Sequence, residues 1–376
     1  MTQVEEIMPK ETLLTTAIIA VCVIPAALSA ADDFSILVGN KVPAERVNVV
    51  TGGGYFPVLI RLDNGQLGAA IRGGDTHVGV NGRLDWAHSS DGGRTWNVKR
   101  LVDAPMDDRN PAVGQLRDGT LLVTYIIDRS YGPGGARLKE LSRDGLYTVR
   151  SFDRGRTWQD PVKSPIEPHH GASPYGKIVQ LRSGAALLSV YYERGPGLEH
   201  ETSLVYRSVD GGKTWKDPSV IADHFNETAL LPLPDGRILA IARSHHGGYL
   251  ATCVSSDEGR TWSAPRRITA DREHPADVIL LRDNRLLLVY GERNRPFGVR
   301  AVLSRDYGET WGPEVIVLAG DSQNGDCGYP SSVEVQPGQI VTLYYGVDEA
   351  RKPDGKVVLG LAGAYARAVL WKVPNR

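Results

Sequence analysis

Six times along the chain an alternating apolar run meets a short turn and returns as a second apolar run. The six segments are LIRLDNGQLGAAI, AVGQLRDGTLLVTY, KIVQLRSGAALLSVYY, ALLPLPDGRILAIAR, VILLRDNRLLLVYG and SVEVQPGQIVTLYYG. Their turns fall at Asn64-Gly65, Asp118-Gly119, Ser183-Gly184, Asp235-Gly236, Asp283-Asn284 and Pro337-Gly338. A period of two marks strands. Asn-Gly or Asp-Gly between two such strands predicts a two-residue hairpin turn with both central residues at positive φ. A second pattern, S-x-D-x-G-x-T-W, runs in phase with the first. It reads SSDGGRTW from Ser89, SFDRGRTW from Ser151, SVDGGKTW from Ser208, SSDEGRTW from Ser255 and SRDYGETW from Ser304.

Each unit therefore reads as strand, hairpin, strand, variable loop, third strand, box turn and fourth strand. Four antiparallel strands in roughly 50–60 residues are the signature of a propeller blade. Six hairpins with five boxes predict an all-β, six-bladed β-propeller with no helix of useful length after residue 30. The tail AYARAVLWKV, from Ala364, supplies a late strand, and Val47 to Val50 another, so the two ends would close the ring. The boxes are expected to be structural. Their Asp can hold turn amides, their Gly permits a tight backbone, and their Trp packs between sheets.

Composition changes this picture in two places. Five of the seven Trp close the boxes, so the aromatic bias is the repeat itself. The 43 Lys+Arg against 44 Asp+Glu exclude a basic surface built for nucleic acid. Residues Leu13 to Leu28, LLTTAIIAVCVIPAAL, have the length of a signal-peptide core, and Ser29-Ala30-Ala31 follow as small residues. Residues 1–30 are expected to be a leader, with Met8 an alternative start, and 31–376 a single propeller domain. The mature chain would be secreted or periplasmic, near neutral, and free of the membrane. Cys253 and Cys327 are too few for a disulfide framework or a cysteine zinc site.

Propeller topology brings residues just before each first strand and just after each second strand to one mouth. That mouth would gather Tyr55, Phe56, Arg72, Asp75 and His77, then Arg109, Asn110, His169 and His170. Asn226, Glu227, Arg243, His245 and His246 follow, with His274, Arg293, Tyr329 and Tyr345 completing the set. Arginines grip a carboxylate bidentately and aromatics pack on sugar faces, so the rim suits an acidic or polyhydroxylated ligand. Neither histidine pair has the spacing of a zinc motif, and no metal or cofactor is expected.

With these boxes the chain resembles the sialidase superfamily, whose SxDxGxTW Asp-box (BNR) repeats decorate a six-bladed propeller. The resemblance spans essentially the whole mature chain. It implies a Tyr nucleophile activated by Glu, an Asp acid/base and three arginines on the sialate carboxylate; sialidases are the tyrosine exception among glycosidases. NETALLPLPDGRILAIAR implies Glu227 as the Tyr partner and Arg243 as a carboxylate ligand, and GYPSSVEVQPGQIVTLYY places the nucleophile on Tyr329. GERNRPFGVRA offers Arg293, with Arg295 or Arg300 as alternatives. The family's Arg-Ile-Pro is here Tyr55-Phe56-Pro57, so the first arginine is missing unless Arg72 or Arg109 reaches in. The acid/base falls on Asp75 or on His77, and His170 is a further sugar-binding candidate.

The resulting expectation is a retaining exo-glycosidase that removes a terminal acidic sugar, sialic acid first, from a glycan. A propeller glycosidase or lyase on another sugar, of rhamnosyl-uronate or arabinan type, is the alternative. A non-catalytic glycan-binding propeller is the third reading.

Overall fold

The computed structural model describes residues 36–39, 42–138, 142–143, 145–164, 171–192, 200–348, 350–351, 357–358 and 363–374. The chain divides into units Met1–Ala31 and Asp32–Arg376, and all described residues belong to the second. The expected leader, and His169 and His170, lie outside the described residues. Among the described residues no helix is long and apolar enough to cross a membrane.

The fold is all-β and propeller-like. Tyr55–Arg61, Leu67–Gly73, Arg83–Ser89 and Asn97–Val102 form one four-stranded antiparallel sheet. Asp107–Gln115, Leu121–Asp128, Leu146–Ser151 and Val162–Ser164 form the next. The set of Ala172–Gln180, Ala186–Tyr192, Thr202–Ser208 and Lys216–Asp223 joins it through a parallel pairing of Gly176 with Ala112. Phe225–Pro232 opens a fourth set and Glu273–Leu280 a fifth. In the last sheet Gly328–Gln336 and Gln339–Val347 are followed by Ala364–Lys372, which pairs with Val42–Thr51, so both ends of the chain share one sheet.

Buried apolar residues fill the gaps between successive sheets. Leu122 and Ile126 pack on Leu188 and Tyr206, and Leu239 and Ile241 pack on Leu286 and Leu288. The last sheet meets the first in the same way, through Val341, Leu343 and Ala368 against Leu59, Leu67 and Ile71. This accounts for strands apolar on both faces, since each sheet is covered twice.

All six hairpins form, five of them with a longer turn than the two-residue one the dipeptides predict. Leu62 N–H donates to the Gln66 carbonyl at 2.8 Å and Gly65 N–H to the Leu62 carbonyl at 2.8 Å. The loop is therefore three residues long, a type I turn closed by one left-handed residue. Gly65, Gly119, Gly184, Gly236 and Asn284 carry the positive φ, while the residue before each stays in the ordinary region. A single left-handed residue is enough to match the strand twist, which is why Asn284 can replace glycine. Pro337-Gly338 is a true two-residue turn between paired Gln336 and Gln339, with positive φ at Gly338 alone.

The boxes are turns held by their aspartate. Asp91 Oδ1 accepts from the Arg94 and Thr95 amides at 3.0 and 2.9 Å, and Thr95 Oγ1 donates to Oδ2 at 2.6 Å. Ser89 Oγ donates to Asp91 Oδ1 at 2.8 Å and accepts from Gly93 N–H at 2.9 Å. Asp153, Asp210, Asp257 and Asp306 each repeat the serine and threonine contacts. A Cβ on Gly155 would lie 2.5 Å from the Trp86 indole, so the box turn sits tight against the neighbouring sheet.

One irregularity recurs at the start of every inner strand. The ladder slips between Tyr55 and Val58, Arg109 and Ala112, Tyr175 and Val179, Phe225 and Thr228, Glu273 and Ala276, and Gly328 and Ser331. A bulge there re-aims the side chain of the extra residue. Phe56, Asn110 and Tyr329 adopt φ of 51, 53 and 46°, each just before a proline.

Candidate active site

The bulges bring Tyr329 and Glu227, 102 residues apart, into direct contact: the tyrosine hydroxyl donates to Glu227 Oε1. Arg243, on the strand paired with that of Glu227, donates from Nη1 to Glu227 Oε2 at 2.6 Å. Arg293 completes the group, its guanidinium carbon 5.6 Å from the Tyr329 ring centroid. Four candidates from three separate stretches of sequence thus occupy one place.

The electrostatics follow from burial. Burial first, and the Glu227 charge second, push the Tyr329 phenol well above its ordinary range. Burial opposes the Arg243 charge, but the neighbouring Glu227 and Tyr329 oxygens outweigh it and raise its pKa. His274, behind them, is kept neutral by burial and by the Arg243 and Arg293 charges. The proton therefore rests on the phenol while the carboxylate stays paired with Arg243.

Nε and Nη2 of Arg293, and Nε of Arg243, are buried without a hydrogen-bond partner among the described residues. A buried guanidinium nitrogen with no acceptor is costly. Two such cations beside one phenol form a ready receptor for an anionic oxygen.

The other arginine candidates are placed differently. Arg72 is fully buried, donating to Asp107 Oδ1 from Nε and Nη2 at 2.9 and 2.6 Å and to carbonyls of Thr76 and Gly79. It braces the loop after its strand. Arg300 is buried as well, donating to the Ala319 and Pro296 carbonyls. Protein acceptors thus take up donors of both side chains, which ties Arg72 and Arg300 into the framework. Arg109 pairs with Asp107 Oδ2 at 3.2 Å and lies 5.8 Å from the Phe56 ring centroid. Tyr131, which opens the long loop of the second repeat, donates to the same carboxylate at 2.6 Å.

Asp75 and His77 differ just as clearly. Asp75 accepts Thr76 N–H at 2.8 Å and Asn81 N–H at 3.0 Å, so both its oxygens organise its own loop. His77 Nδ1 lies 2.7 Å from Asp326 Oδ1, which also accepts the Tyr345 hydroxyl at 2.6 Å. The His77 ring packs edge-on against Phe56 at 4.9 Å, and Phe56 is 4.9 Å from Tyr329. Burial resists ionisation of Asp326, but the hydrogen bond and charge of His77 carry its pKa below the usual range. Tyr55, in place of the family's first arginine, is pushed up to about 12 by burial and then by the Asp326 charge.

Asp326 and the deeper ion pair were not singled out from the sequence. Lys177 Nζ reaches Asp277 Oδ2 at 2.7 Å and the Ser332 carbonyl at 2.7 Å, linking three inner strands. Above it a cavity of about 20 Å³ is lined in part by Pro57, Pro111, Pro174 and Pro330. The repeated X-Pro at the bulges was the available signal.

Comparison with known proteins sets this site in context. The BNR repeat-like domain profile matches residues 103–342. A sialidase of Bacteroides fragilis (strain YCH46) is 25% identical over 272 residues, 63% of this chain and 49% of that protein. A sialidase of Micromonospora viridifaciens is 28% identical over 243 residues, 58% and 37% of the two chains. The chain thus spans about half or less of the length of these relatives. A Dyadobacter fermentans DSM 18053 protein of unknown function superposes with a TM-score of 0.72 at 25% identity, covering 88% of this chain and 98% of that one. The Hadza microbial sialidase Hz136 gives 0.66 at 18% identity, covering 86% and 68%, and shares the fold.

Proposed function

Since the chain belongs to the sialidase/BNR-repeat superfamily, we propose that it is a six-bladed retaining exo-glycosidase releasing a terminal acidic sugar, sialic acid first, from a glycan. The observation that carries this reading is the Tyr329–Glu227–Arg243 contact beside the unpartnered nitrogens of Arg293. Six hairpins, six inter-sheet cores and a last sheet packed on the first support the blade count. The Leu13–Leu28 run supports export of the chain.

Glu227 Oε1 takes the phenolic proton as Tyr329 Oη attacks the anomeric carbon, giving a glycosyl-tyrosine that water then hydrolyses with net retention. A phenol suits an anionic sugar because it brings no second negative charge against the substrate carboxylate, which Arg243 and Arg293 hold. Protonation of the leaving oxygen falls to His77, held by Asp326, in preference to Asp75, whose oxygens are committed to its loop.

One observation favours a second reading. Tyr55, Phe56 and Tyr345 pack together with Tyr329 against them, where the family's first arginine would stand. An acidic sugar gripped by two arginines and an aromatic shelf, rather than by three arginines, fits that wall.

A panel of aryl glycosides that includes an α-sialoside tests both readings. The expected result is turnover with retention, lost by at least about 10³-fold in Tyr329→Phe. Undiminished turnover in that variant refutes the mechanism, turnover of another acidic glycoside alone decides for the second reading, and binding without turnover across the panel makes the chain a lectin-like propeller.

A further inference from the structure

Four of the chain's nine histidines, His200, His224, His245 and His246, gather in one cluster that does not include Tyr329. The register explains part of this. Thr202 pairs with Asp223 across the strands Thr202–Ser208 and Lys216–Asp223. His200, two residues before Thr202, and His224, one after Asp223, therefore emerge at the same end of that ladder. Their imidazoles stack with centroids 4.0 Å apart. His200 Nε2 lies 2.6 Å from Asp223 Oδ1 and His224 Nε2 3.9 Å from Asp223 Oδ2. Two rings from different segments thus present nitrogens to the two oxygens of one carboxylate, and donor atoms of all three residues lie within 4.8 Å of one another.

Two further observations separate this group from a casual surface ion pair. The carboxylate is oriented from behind, because Thr202 Oγ1 donates to Asp223 Oδ1 at 2.9 Å, as outer residues commonly orient metal ligands. His224 is held at φ +63°, a left-handed conformation that histidine, asparagine and aspartate adopt more often than other non-glycine residues. Its carbonyl accepts the His245 amide at 2.9 Å, which fixes the turn that presents the ring. If both stacked imidazoles were protonated, two like charges would face each other. If both were neutral, each could turn a lone pair toward a shared cation.

The geometry points to a divalent transition-metal site formed by His200, Asp223 and His224, with zinc the best-matched ion. Two imidazole nitrogens and one carboxylate oxygen are a borderline donor set, suited to Zn²⁺ and its neighbours and poorly suited to Ca²⁺ or Mg²⁺. Three protein ligands on an exposed edge leave a fourth position for water or for an oxygen of a bound molecule. The His246 ring, 6.1 Å from that of His224, borders this open side. The site adjoins the catalytic group without sharing a residue with it. Glu201, next to His200, accepts from Asn226, whose Oδ1 in turn accepts Glu227 N–H at 2.7 Å. The inference does not depend on which sugar the mouth takes.

The test is metal binding by the untagged full chain, stripped with chelator and titrated with zinc chloride by calorimetry. One saturable site of low-micromolar affinity or tighter is expected. His200→Gln and His224→Gln should each weaken it about tenfold or more, the double variant should abolish it, and His88→Gln, remote from the site, should leave it unchanged. Asp223→Asn, which keeps the shape of the side chain, guards against a variant that misfolds, and near-ultraviolet circular dichroism of each metal-free variant checks the fold. Cobalt loaded in place of zinc should give visible d–d bands that the double variant lacks. Absence of saturable binding at about 100 µM zinc, or equal affinity in the double variant and the parent, overturns the assignment.

Discussion

Replacing Glu227 by Gln removes the proton acceptor of Tyr329 while keeping the side chain's size. The size of the effect follows from the site. At pH 7 a phenol of ordinary pKa, about 10, is ionised to roughly one part in 10³. Burial raises the Tyr329 phenol further, whereas loss of the Glu227 charge removes the second cause of that rise. These shifts oppose each other, so about 10³-fold in kcat, near 4 kcal/mol of barrier, is the expected loss. The loss should also depend on pH. With the base gone, each unit of pH supplies tenfold more phenolate, so log kcat of Glu227→Gln should climb with unit slope from pH 7 toward the phenol's pKa. The parent should show no such limb. The assay is the initial rate on whichever aryl glycoside the parent cleaves fastest, from pH 6 to 10. A variant within tenfold of the parent at pH 7, or a deficit that stays constant with pH, would refute the claim that Glu227 carries the proton.

Four further outcomes follow from the same contacts. His77→Gln should slow substrates with poor leaving groups by about 10²-fold and spare activated aryl glycosides, whereas Asp75→Asn should show no leaving-group dependence; rates across a series of phenols separate the two. Arg293→Met should raise KM for an acidic substrate about 10- to 100-fold, the worth of a charged hydrogen bond, with little change for a neutral aryl glycoside. Arg72→Met should instead cost about 3 kcal/mol of stability by leaving the buried Asp107 carboxylate without its Arg72 partner, read as a lower denaturant midpoint without a specific effect on KM. Burial is the largest single influence on Asp153 and Asp210 and raises their pKa, but the bonds from turn hydroxyls and amides together outweigh it and lower both to about 2. Their stabilising contribution is full above the unfolded-state carboxylate pKa of about 4 and is lost as pH falls toward 2. Denaturant midpoints should drop across that window, less steeply in Asp210→Ala; an unchanged slope would remove the boxes from the account.

Hydrophobic alternation and the boxes made the strand pattern legible, because both are repeated and each repeat checks the others. Val47–Val50 proved to lie in a strand paired with Ala364–Lys372 for the same reason. The turn geometry was misread, since Asp-Gly suits both a two-residue turn and a type I turn with one left-handed residue, and the choice depends on register. The strands are apolar on both faces, so their pattern does not show where a ladder slips, although the X-Pro steps after Phe56, Asn110 and Tyr329 mark the bulges that aim those side chains. Asp326 was missed because nothing local distinguishes it; only the fold brings it to His77. The His200–Asp223–His224 group was hidden similarly, its members tied by a cross-strand pairing rather than by motif spacing.

The arginines show where such reading stops and what must replace it. Position along the repeat nominated Arg72, Arg109, Arg243 and Arg293 alike, because all four lie near the ends of inner or second strands, and Arg300 on the strand after them. What sorts them is where their donors go. Arg72 and Arg300 spend theirs on protein acceptors in the dry interior, where an arginine pays its desolvation by bracing a loop. Arg109 is intermediate, one donor on Asp107 and its flat face toward Phe56. Arg243 and Arg293 alone among the five keep buried nitrogens without a partner. A buried guanidinium nitrogen without an acceptor is costly, and beside Tyr329 an anion from outside the chain is the simplest partner for it. A charge count near zero says nothing of this. Arg243 and Arg293 are the two of the five whose hydrogen bonding the protein leaves unfinished, and both stand beside Tyr329, whose hydroxyl donates to Glu227.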